Sequence, residues 1–426
     1  MMILLLATVC LNVYLYAIVP KGFFPQQDTG RLVGSIQADQ NISFQAMQQK
    51  LVNILNTVRQ DPAVGSVVGF TGGGLSNSGF MFVVLKPLSE RKVSIDSVMA
   101  RLRPKLAREP GARLFLQPIQ DIRAGGRVSG AMYQYTLQAD DLKELRIWEK
   151  TIRDALTRLP ELVDVNTDEQ NMGLQTSINI NRDTASRLGI TAALVDTALY
   201  DAFGQRQVSI IYNPQNQYRV VLEMAPQYGQ SSDALRDLYV TVPSNTTFSG
   251  VNQIPLMAFA TYDQNNTPLS VNHEGQFAAS TISFNLPPGV SLSDATKAIA
   301  YAVNRLGVPG SVRGSFQGTA QTFQASVQSQ PWLILAALAT IYIVLGVLYE
   351  SYVHPVTILS TLPSAGVGAL LALLAFRTEF TIMSLIGVFL LIGIVKKNAI
   401  MMIDFALDVE RKQGKSSREA IFDCGN

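Results

Sequence analysis

The sequence predicts a membrane α-helical bundle of four helices, joined to an external α+β region of two split βαβ units with an inserted domain. Four apolar runs without charge are long enough, or nearly long enough, to cross a membrane. A long polar interval, residues 20–330, separates the first run from the other three. Within this interval, helical periodicity alternates with short strand-like runs, which is typical of an α+β fold.

Composition excludes several classes of protein. Charged residues make up 15% of the chain, against roughly 25% in soluble domains, so the chain is neither disordered nor a coiled coil. The 34 basic and 32 acidic residues leave a net charge of +2, which gives no basic surface for nucleic acid. Two His and two Cys are too few to favour a His/Cys zinc site or a disulfide framework.

The first apolar run, residues 1–19, is predicted to be a retained membrane helix. The alternative is a secretory signal peptide. The run has no basic start, and the segment 19–30 that follows has no small-x-small cleavage pattern, so the retained helix is favoured.

The first external unit is predicted to span residues 20–130. Ser43 is a candidate N-cap, and the helix after it has apolar residues on one face. The elements follow the order β-α-β-β-α-β of the split βαβ pattern, with strands at 31–37, 64–70, 79–86 and 112–118 and helices at 43–59 and 94–107.

The second unit is predicted to be discontinuous, with residues 131–167 forming its first part and 273–330 its second part. Residues 168–272 form an inserted domain between these parts. The elements of the second unit are strands at 131–138, 161–166, 278–286 and 311–316 and helices at 141–158 and 291–306.

Three further apolar runs, 331–349, 355–376 and 380–395, are predicted to be membrane helices. The tail, 406–426, is rich in Lys and Arg and is therefore predicted to be cytoplasmic. This orientation places residues 20–330 outside the cell membrane, which in a bacterium is the periplasm.

Lys396 and Lys397 interrupt the last run, and two interpretations stay open. Lys397, Met401 and Asp404 share one face if the helix continues, and a lysine at membrane depth then pairs with a carboxylate inside a bundle. Alternatively, both lysines reach the cytoplasmic surface and end the membrane span.

The glycine-rich segment at residues 69–79 joins two strands, and its glycines permit positive φ. It is either a flexible hairpin or a moving gate beside a binding cleft. Phe80 and Phe82 share one strand face, and burial in the core is favoured over a cleft wall. The chain lacks the GxSxG, HExxH and CxxC motifs, so the enzyme classes that use them are not indicated.

Four motifs together resemble the resistance-nodulation-division (RND) superfamily, in particular its multidrug efflux subunits. They are GIVKKNAIMMIDFA (393–406), LYESYVHPVTILSTLPSAGVGALLALL (348–374), VPKGFFPQQDTG (19–30) and SVRGSFQGTAQTFQ (311–324). The resemblance covers essentially the whole chain and matches the C-terminal half of such a subunit, so a truncated form is expected.

The resemblance implies a name for each region. Residues 20–130 are porter subdomain 1, residues 131–167 with 273–330 are porter subdomain 2, and residues 168–272 are the docking domain. The membrane helices, seventh to tenth of the family, are 1–19, 331–349, 355–376 and 380–405, and the cytoplasmic tail is 406–426.

The resemblance also implies roles for single residues. Lys397 and Asn398 match the proton-relay position, with Lys397 buried and Lys396 the extra lysine. The segment at 69–79 matches the gate loop, whose residues are Phe70, Gly72, Gly73, Gly74 and Phe82. Better-known pumps of the superfamily have phenylalanines where this loop has Gly and Ser. The range of exported drugs therefore does not follow from the resemblance.

A subunit of this kind exports small amphiphilic drugs by drug:proton antiport, without a cofactor, at the expense of the proton motive force. The implied location is the bacterial inner membrane, in contact with lipids. The implied partners are like or related RND subunits in a trimer, homo- or hetero-oligomeric, a periplasmic adaptor protein and an outer-membrane channel. Two alternatives stay open: a transport-incompetent, membrane-anchored periplasmic scaffold, and a heavy-metal exporter of the same superfamily.

Overall fold

The computed structural model describes residues 2–72, 74–122, 125–126, 129–225, 227–229, 231–242 and 253–413. Gly73 and the last part of the tail, 414–426, therefore lie outside the described residues. The chain begins with helix α1, Met2–Ile18, which has apolar residues on all sides.

The first unit is a four-stranded antiparallel sheet with two helices on one face. The strands lie in the order β2-β3-β1-β4. The elements are β1 (Arg31–Ala38), α2 (Phe44–Arg59), β2 (Val64–Thr71), β3 (Ser78–Leu85), the short α3 (Leu88–Arg91), α4 (Ile95–Leu106) and β4 (Ala112–Pro118). All but α3 lie within one or two residues of the predicted elements.

Helix α2 begins where the sequence predicts, because the Ser43 hydroxyl accepts a hydrogen bond from the Ala46 amide. Its apolar face and that of α4 cover one side of the sheet. The core consists of fully buried side chains from both layers: Leu32, Ile36, Met47, Ile54, Val58, Met81, Val98 and Leu102.

The second unit repeats this arrangement but is interrupted in sequence. It begins with β5 (Tyr133–Ala139), α5 (Leu142–Leu156) and β6 (Val163–Thr167). The chain then leaves the sheet and forms the inserted domain. That domain contains β7 (Gly173–Ile180), α6 (Arg182–Arg187), α7 (Ala192–Phe203), β8 (Arg206–Tyr212), β9 (Gln217–Leu222), β10 (Tyr239–Thr241), β11 (Gln253–Pro255), β12 (Ala260–Thr267) and two short 3₁₀ helices.

The chain returns to the second sheet through β13 (Asn272–Glu274), β14 (Phe277–Asn285), α8 (Leu292–Leu306) and β15 (Val312–Gln317). Strand β14 lies in the middle of the antiparallel sheet, next to β5 on one side and to β6 and β13 on the other. Strand β15 pairs with β5. Helices α5 and α8 bury Leu145, Ile152, Ala295 and Ile299 against this sheet.

The membrane part contains α9 (Thr319–Tyr349), α10 (Val353–Leu359), α11 (Leu362–Ala375) and α12 (Ile382–Gln413). Among the described residues, three helical stretches are long and apolar enough to cross a membrane: Thr319–Tyr349, Val353–Ala375 and Ile382–Lys412. Helix α1 is also apolar but shorter.

Three of the predicted membrane boundaries differ from the observed ones. Helix α9 begins twelve residues before the predicted start at 331 and continues through Pro331. The predicted single helix 355–376 is divided into α10 and α11, because Pro363 has no amide N–H to continue the helical ladder. Helix α12 continues eight residues beyond the predicted end at 405.

Candidate functional site

Three phenylalanines form an open aromatic patch on the helix-free face of the first sheet. Phe70 lies opposite Phe80 in the register of β2 and β3, with ring centroids 5.9 Å apart. The Phe70 and Phe82 rings are stacked at 6.3 Å, and these two side chains are 49% and 47% exposed. The expectation that Phe80 and Phe82 lie in the core is therefore wrong, because both helices cover the other face.

The glycine-rich loop turns at a glycine directly after β2 and is anchored directly before β3. Gly72 has φ of +90°, which favours glycine, whereas Gly74 is exposed and a Cβ atom added there would have no neighbour within 4 Å. At the base, Asn77 is fully buried and donates hydrogen bonds to the Ala38 carbonyl at 3.2 Å and to Gln170 Oε1 at 2.7 Å. Gly73, the remaining predicted loop residue, lies outside the described residues.

A cleft of about 260 Å³ separates the helix-free faces of the two sheets. Ser35 and Gln37 of β1 line one wall, and Ser35 is paired with Phe80, so the aromatic patch lies beside this wall on the same face of the sheet. Thr281 and Ser283 of β14 line the other wall with Asn166 of β6. Polar groups beside an aromatic surface suit a ligand that is partly apolar and partly polar.

The polar residues of this cleft are not among the residues that the sequence motifs predict. One available signal was the alternation in β14, where Thr281 and Ser283 alternate with the core residues Ile282 and Phe284. Thr281 and Ser283 are themselves only 4% and 3% exposed. Buried polar side chains on a strand indicate that the second face is also covered.

Asp168 holds the second wall of the cleft in place. Its carboxylate accepts hydrogen bonds from the Thr281 amide at 2.7 Å, from the Ser280 hydroxyl at 3.2 Å and from the Asn272 side chain at 2.9 Å. These contacts join the segment after β6 to β14 and β13, so the cleft wall and the entry to the inserted domain form one hydrogen-bonded unit.

The predicted relay residues lie on α12, which continues as a helix through both lysines. Lys397 and Asn398 are exposed, whereas Lys396 is half-buried. This burial is the reverse of the prediction for the two lysines. The reason is that Lys396 lies toward the packed side of the described helices, whereas the Lys397 side of α12 is uncovered.

Asp404, the carboxylate predicted to share a face with Lys397, has another partner. The Tyr349 hydroxyl at the end of α9 donates a hydrogen bond of 2.6 Å to Asp404 Oδ1. Seven helical residues correspond to about 10 Å along the axis, so Asp404 lies too far along α12 for a direct ion pair with Lys397.

The cleft and the lysines are far apart in the chain. Backbone hydrogen bonds around Phe380, called here the joint at Phe380, connect α12, which carries the lysines, to the second unit. The Phe380 amide, two residues before α12, donates to the Pro20 carbonyl at 2.8 Å, and the Gly22 amide donates back to the Phe380 carbonyl at 3.2 Å. The Ser293 amide in the first turn of α8 donates to the Lys21 carbonyl at 3.2 Å. The start of α12 is thereby connected to a helix of the second unit.

Comparison with known proteins identifies close relatives. The chain is 60% identical to the multidrug resistance protein MdtC of Yersinia enterocolitica serotype O:8 and 59% identical to MdtC of Yersinia pseudotuberculosis serotype O:1b, each over 421 residues. These alignments cover 99% of this chain and 40% of each relative. The motifs quoted above are most similar to the MdtB/MdtC type of subunit, and the MdtC relatives confirm this prediction.

A solved structure has the same fold. The crystal structure of a heavy metal efflux pump aligns with a TM-score of 0.82 over 94% of this chain and 42% of that chain, at 21% sequence identity. At that identity the likeness concerns the fold alone. The model of the AcrB/AcrD/AcrF family matches residues 1–426. The chain therefore belongs to the AcrB/AcrD/AcrF family of RND transporters, as its motifs predict.

Proposed function

We propose that this chain forms the cleft-bearing and relay-bearing part of a proton-driven multidrug efflux subunit in the bacterial inner membrane. The observation that carries the proposal is the cleft between the two sheets, which has polar side chains at both walls and an aromatic patch beside one of them. Small amphiphilic compounds fit such a surface, because their apolar part contacts the rings and their polar part the hydroxyl and amide groups.

The proposal assigns the two sheets to porter subdomains 1 and 2, at 20–130 and at 131–167 with 273–330, and residues 168–272 to the docking domain. The strand order β2-β3-β1-β4, repeated as β6-β14-β5-β15, supports a ferredoxin-like, split βαβ fold for both porter subdomains. The two sheets close the cleft between them, which suits opening and closing by relative movement.

We assign α1 as the fourth membrane helix despite its length. Seventeen residues span about 25 Å, close to the hydrocarbon thickness. Asn12 donates a hydrogen bond of 2.7 Å to the Pro363 carbonyl of α11, and Tyr16 donates one of 3.0 Å to the buried Gln330 of α9. These contacts support a position for α1 inside the helix bundle.

Proton coupling is assigned to Lys397 with Asn398. Lys397 lies on an uncovered side of α12, and a charge at this depth is stable only when another group neutralises it. A carboxylate from another part of the intact pump would take this role. Protonation of that carboxylate would release Lys397, and the joint at Phe380 would transmit the movement of α12 to α8.

Assembly with like or related subunits is supported by the hairpin β8–β9. Val208, Ile211, Tyr212 and Tyr218 are all exposed on it. An isolated two-stranded hairpin is marginally stable in water, so a neighbouring subunit is expected to cover this one. A periplasmic adaptor and an outer-membrane channel complete the tripartite assembly that the family suggests.

The experiment replaces Phe70 and Phe82, singly, by Ala in the intact pump and measures minimum inhibitory concentrations in a drug-sensitive strain. Loss of a ring removes apolar contact area, so resistance to amphiphiles should fall while the amount of protein in the membrane stays normal. Tyr301→Ala is the control, because Tyr301 is 71% exposed on α8, outside the cleft.

The same assay includes metal salts, so that it distinguishes an exporter of amphiphiles from an exporter of heavy metals. Loss of resistance to metals but not to amphiphiles would favour a heavy-metal exporter. If Phe70→Ala, Phe82→Ala and the control Tyr301→Ala all leave resistance to every compound unchanged, the assignment of the cleft is wrong. The scaffold alternative then gains support.

A further inference from the structure

A glutamate is buried in the apolar face of α5. Leu145, Ile152 and Leu156 face the core of the second unit, and Glu149 lies four residues after Leu145 on the same face. Glu149 is 1% exposed, and its Oε1 has no hydrogen-bond partner among the described residues. An ionised carboxylate in such a place is costly, so the buried environment favours the protonated form.

A second carboxyl group faces the first. Glu169 belongs to the crossing segment, residues 168–172, which carries the chain from β6 to β7. Its carboxylate lies 3.5 Å from Nε of Arg146, which is three residues before Glu149 on the same side of α5, so the two carboxyl groups are neighbours. Two ionised carboxylates repel one another at short distance, and burial disfavours a charge on Glu149, so the pair favours binding one proton.

Two arginines of α5 weaken the repulsion of this pair without cancelling it. Arg153 is 3.7 Å from Glu149 Oε1, and Arg146 is 3.5 Å from Glu169 Oε1. The Arg146 Nε makes no hydrogen bond within the described part of the chain. Arg153 is also shared with the exposed Asp154 at 3.3 Å. Both guanidinium groups are about one-third exposed, so water screens their charge.

The other elements packed against α5 place no further charge in its buried face. Strands β5 and β14 have no charged residue. Asp164 of β6 is occupied by Arg103 and Asn285. The charged residues of β15 and α8 are all exposed: Asp294, Lys297, Arg305 and Arg313.

The crossing segment is the junction of three parts of the molecule. Asp168 binds the second sheet, and Gln170 accepts a hydrogen bond from Asn77 of the first unit. The Leu269 amide, on the chain returning from the inserted domain, donates to the Gln170 carbonyl at 2.9 Å. The Met172 amide donates to Gln40 of the first unit. Movement of Glu169 therefore affects all three parts.

We propose that Glu149 and Glu169 form a proton-binding site in the periplasmic part of the chain, in which one shared proton holds the crossing segment against α5. Loss of the proton leaves two like charges close to each other. The repulsion moves Glu169 outward and loosens the junction between the inserted domain and the two sheets. The site is separate from the membrane lysines, and the inference does not depend on transport.

The pH range follows from the environment of Glu149. Burial and the Glu169 carboxyl raise the pKa of Glu149 to about 7. Because this pKa is raised in the closed form, the stabilisation is complete at acid pH and is lost as pH rises toward neutrality. With an ordinary Glu pKa in the open form, the closed-to-open ratio should fall about tenfold between pH 6 and pH 8.

The test is hydrogen–deuterium exchange of the purified full chain in detergent, with amide rates corrected for their intrinsic pH dependence. Protection of residues 168–172 should fall about tenfold from pH 6 to pH 8. Glu149→Gln retains a neutral donor, so its protection should not change with pH. Asp154→Asn on the exposed side of α5 is the matched control and should behave like the unmodified chain.

If Glu149→Gln fails to fold, infrared spectroscopy provides a second test. Infrared difference spectra of the unmodified chain should show a protonated carboxyl band at pH 6 that disappears by pH 8, and Glu169→Gln should alter that band. Absence of this band overturns the proposal. So does protection that is independent of pH in the unmodified chain, or a pH dependence that persists in Glu149→Gln.

Discussion

Lys396 and Lys397 are neighbours on α12, and a helix turns by about 100° per residue, so the two ammonium groups occupy different surroundings. Lys396 is half-buried among the described helices, and Lys397 is exposed. A lysine in hydrocarbon costs roughly 2.5–3.5 kcal/mol on insertion scales. The uncovered lysine therefore has the stronger need for a partner from elsewhere in the assembly.

For this reason, Lys397→Ala in the intact pump should abolish export, whereas Lys396→Ala should be much milder. The measurement is drug efflux from energised cells, with the amount of membrane-inserted subunit determined in parallel. Equal losses in the two variants would contradict the assignment of the relay to Lys397.

Asp61 shows how a buried charge stabilises the first unit. Its side chain is fully buried, and Arg101 donates two hydrogen bonds to it at 2.6 and 2.7 Å. Burial acts to raise the pKa of Asp61, but the hydrogen bonds from Arg101 and the Ala63 amide together act more strongly, so the pKa is lowered. The stabilisation is present at neutral pH and lost as pH falls through this lowered pKa.

Arg101→Leu should accordingly destabilise the first unit by about 1–3 kcal/mol at neutral pH, because it leaves the Asp61 carboxylate without its main donor. Thermal unfolding of the purified chain at neutral and acid pH measures the loss, which should shrink at acid pH. Arg108→Leu, at an exposed position after α4, should have little effect. Similar losses in both variants would refute this role of the ion pair.

At the scale of elements, strands β2 and β3 hold the two ends of the glycine-rich loop. The buried Asn77 anchors the end before β3, and Gly72, directly after β2, has a positive φ. A Cβ atom at Gly72 would lie 3.0 Å from the Phe44 ring. Gly72 is therefore constrained both by its backbone conformation and by the available space.

Gly72→Ala should strain the loop by about 1–2 kcal/mol and displace the loop residues that follow. Export of bulky substrates should fall more than export of small ones, because the loop borders the cleft. Gly74→Ala is the matched control, since nothing lies within 4 Å of its Cβ position. Minimum inhibitory concentrations across a size series provide the measurement, and a uniform change across sizes would exclude a gating role.

Helix α9 is a second element whose length has a structural consequence, because it connects the second unit to the membrane part. It begins two residues after β15 ends and continues for 31 residues, about 46 Å, into the membrane part. The residues of α9 before Pro331 are mostly polar, so the hydropathy of the sequence predicts a helix that begins only at Pro331. The continuous helix gives the second sheet a direct connection to the membrane bundle.

At the scale of the whole molecule, the hairpin β8–β9 leaves an apolar surface uncovered. Tyr212 near its turn is 69% exposed. Tyr212→Glu should weaken association of the intact pump subunits, by about 2 kcal/mol or roughly 30-fold if the ring is a hot spot. Native mass spectrometry measures the oligomer fraction. Tyr301→Glu, at a similarly exposed tyrosine on α8, should leave assembly unchanged; equal effects would contradict the hairpin interface.

The membrane runs, the types of most elements and the RND resemblance follow from the order of the amino acids alone. These features are local: the length of an apolar run, the period of an amphipathic helix and the letters of a motif are all present in consecutive residues. The helix at 43–59 and the strand at 79–86 were predictable for this reason.

Which faces are covered depends instead on how distant segments pack. The phenylalanines at 80 and 82 are apolar and alternate correctly for a core, but the helices α2 and α4 pack on the opposite face of their sheet. The polar cleft and the position of Glu169 against α5 likewise depend on how separate segments of the chain pack. A local pattern specifies that a face is apolar or polar; the packing of other elements determines what lies against it.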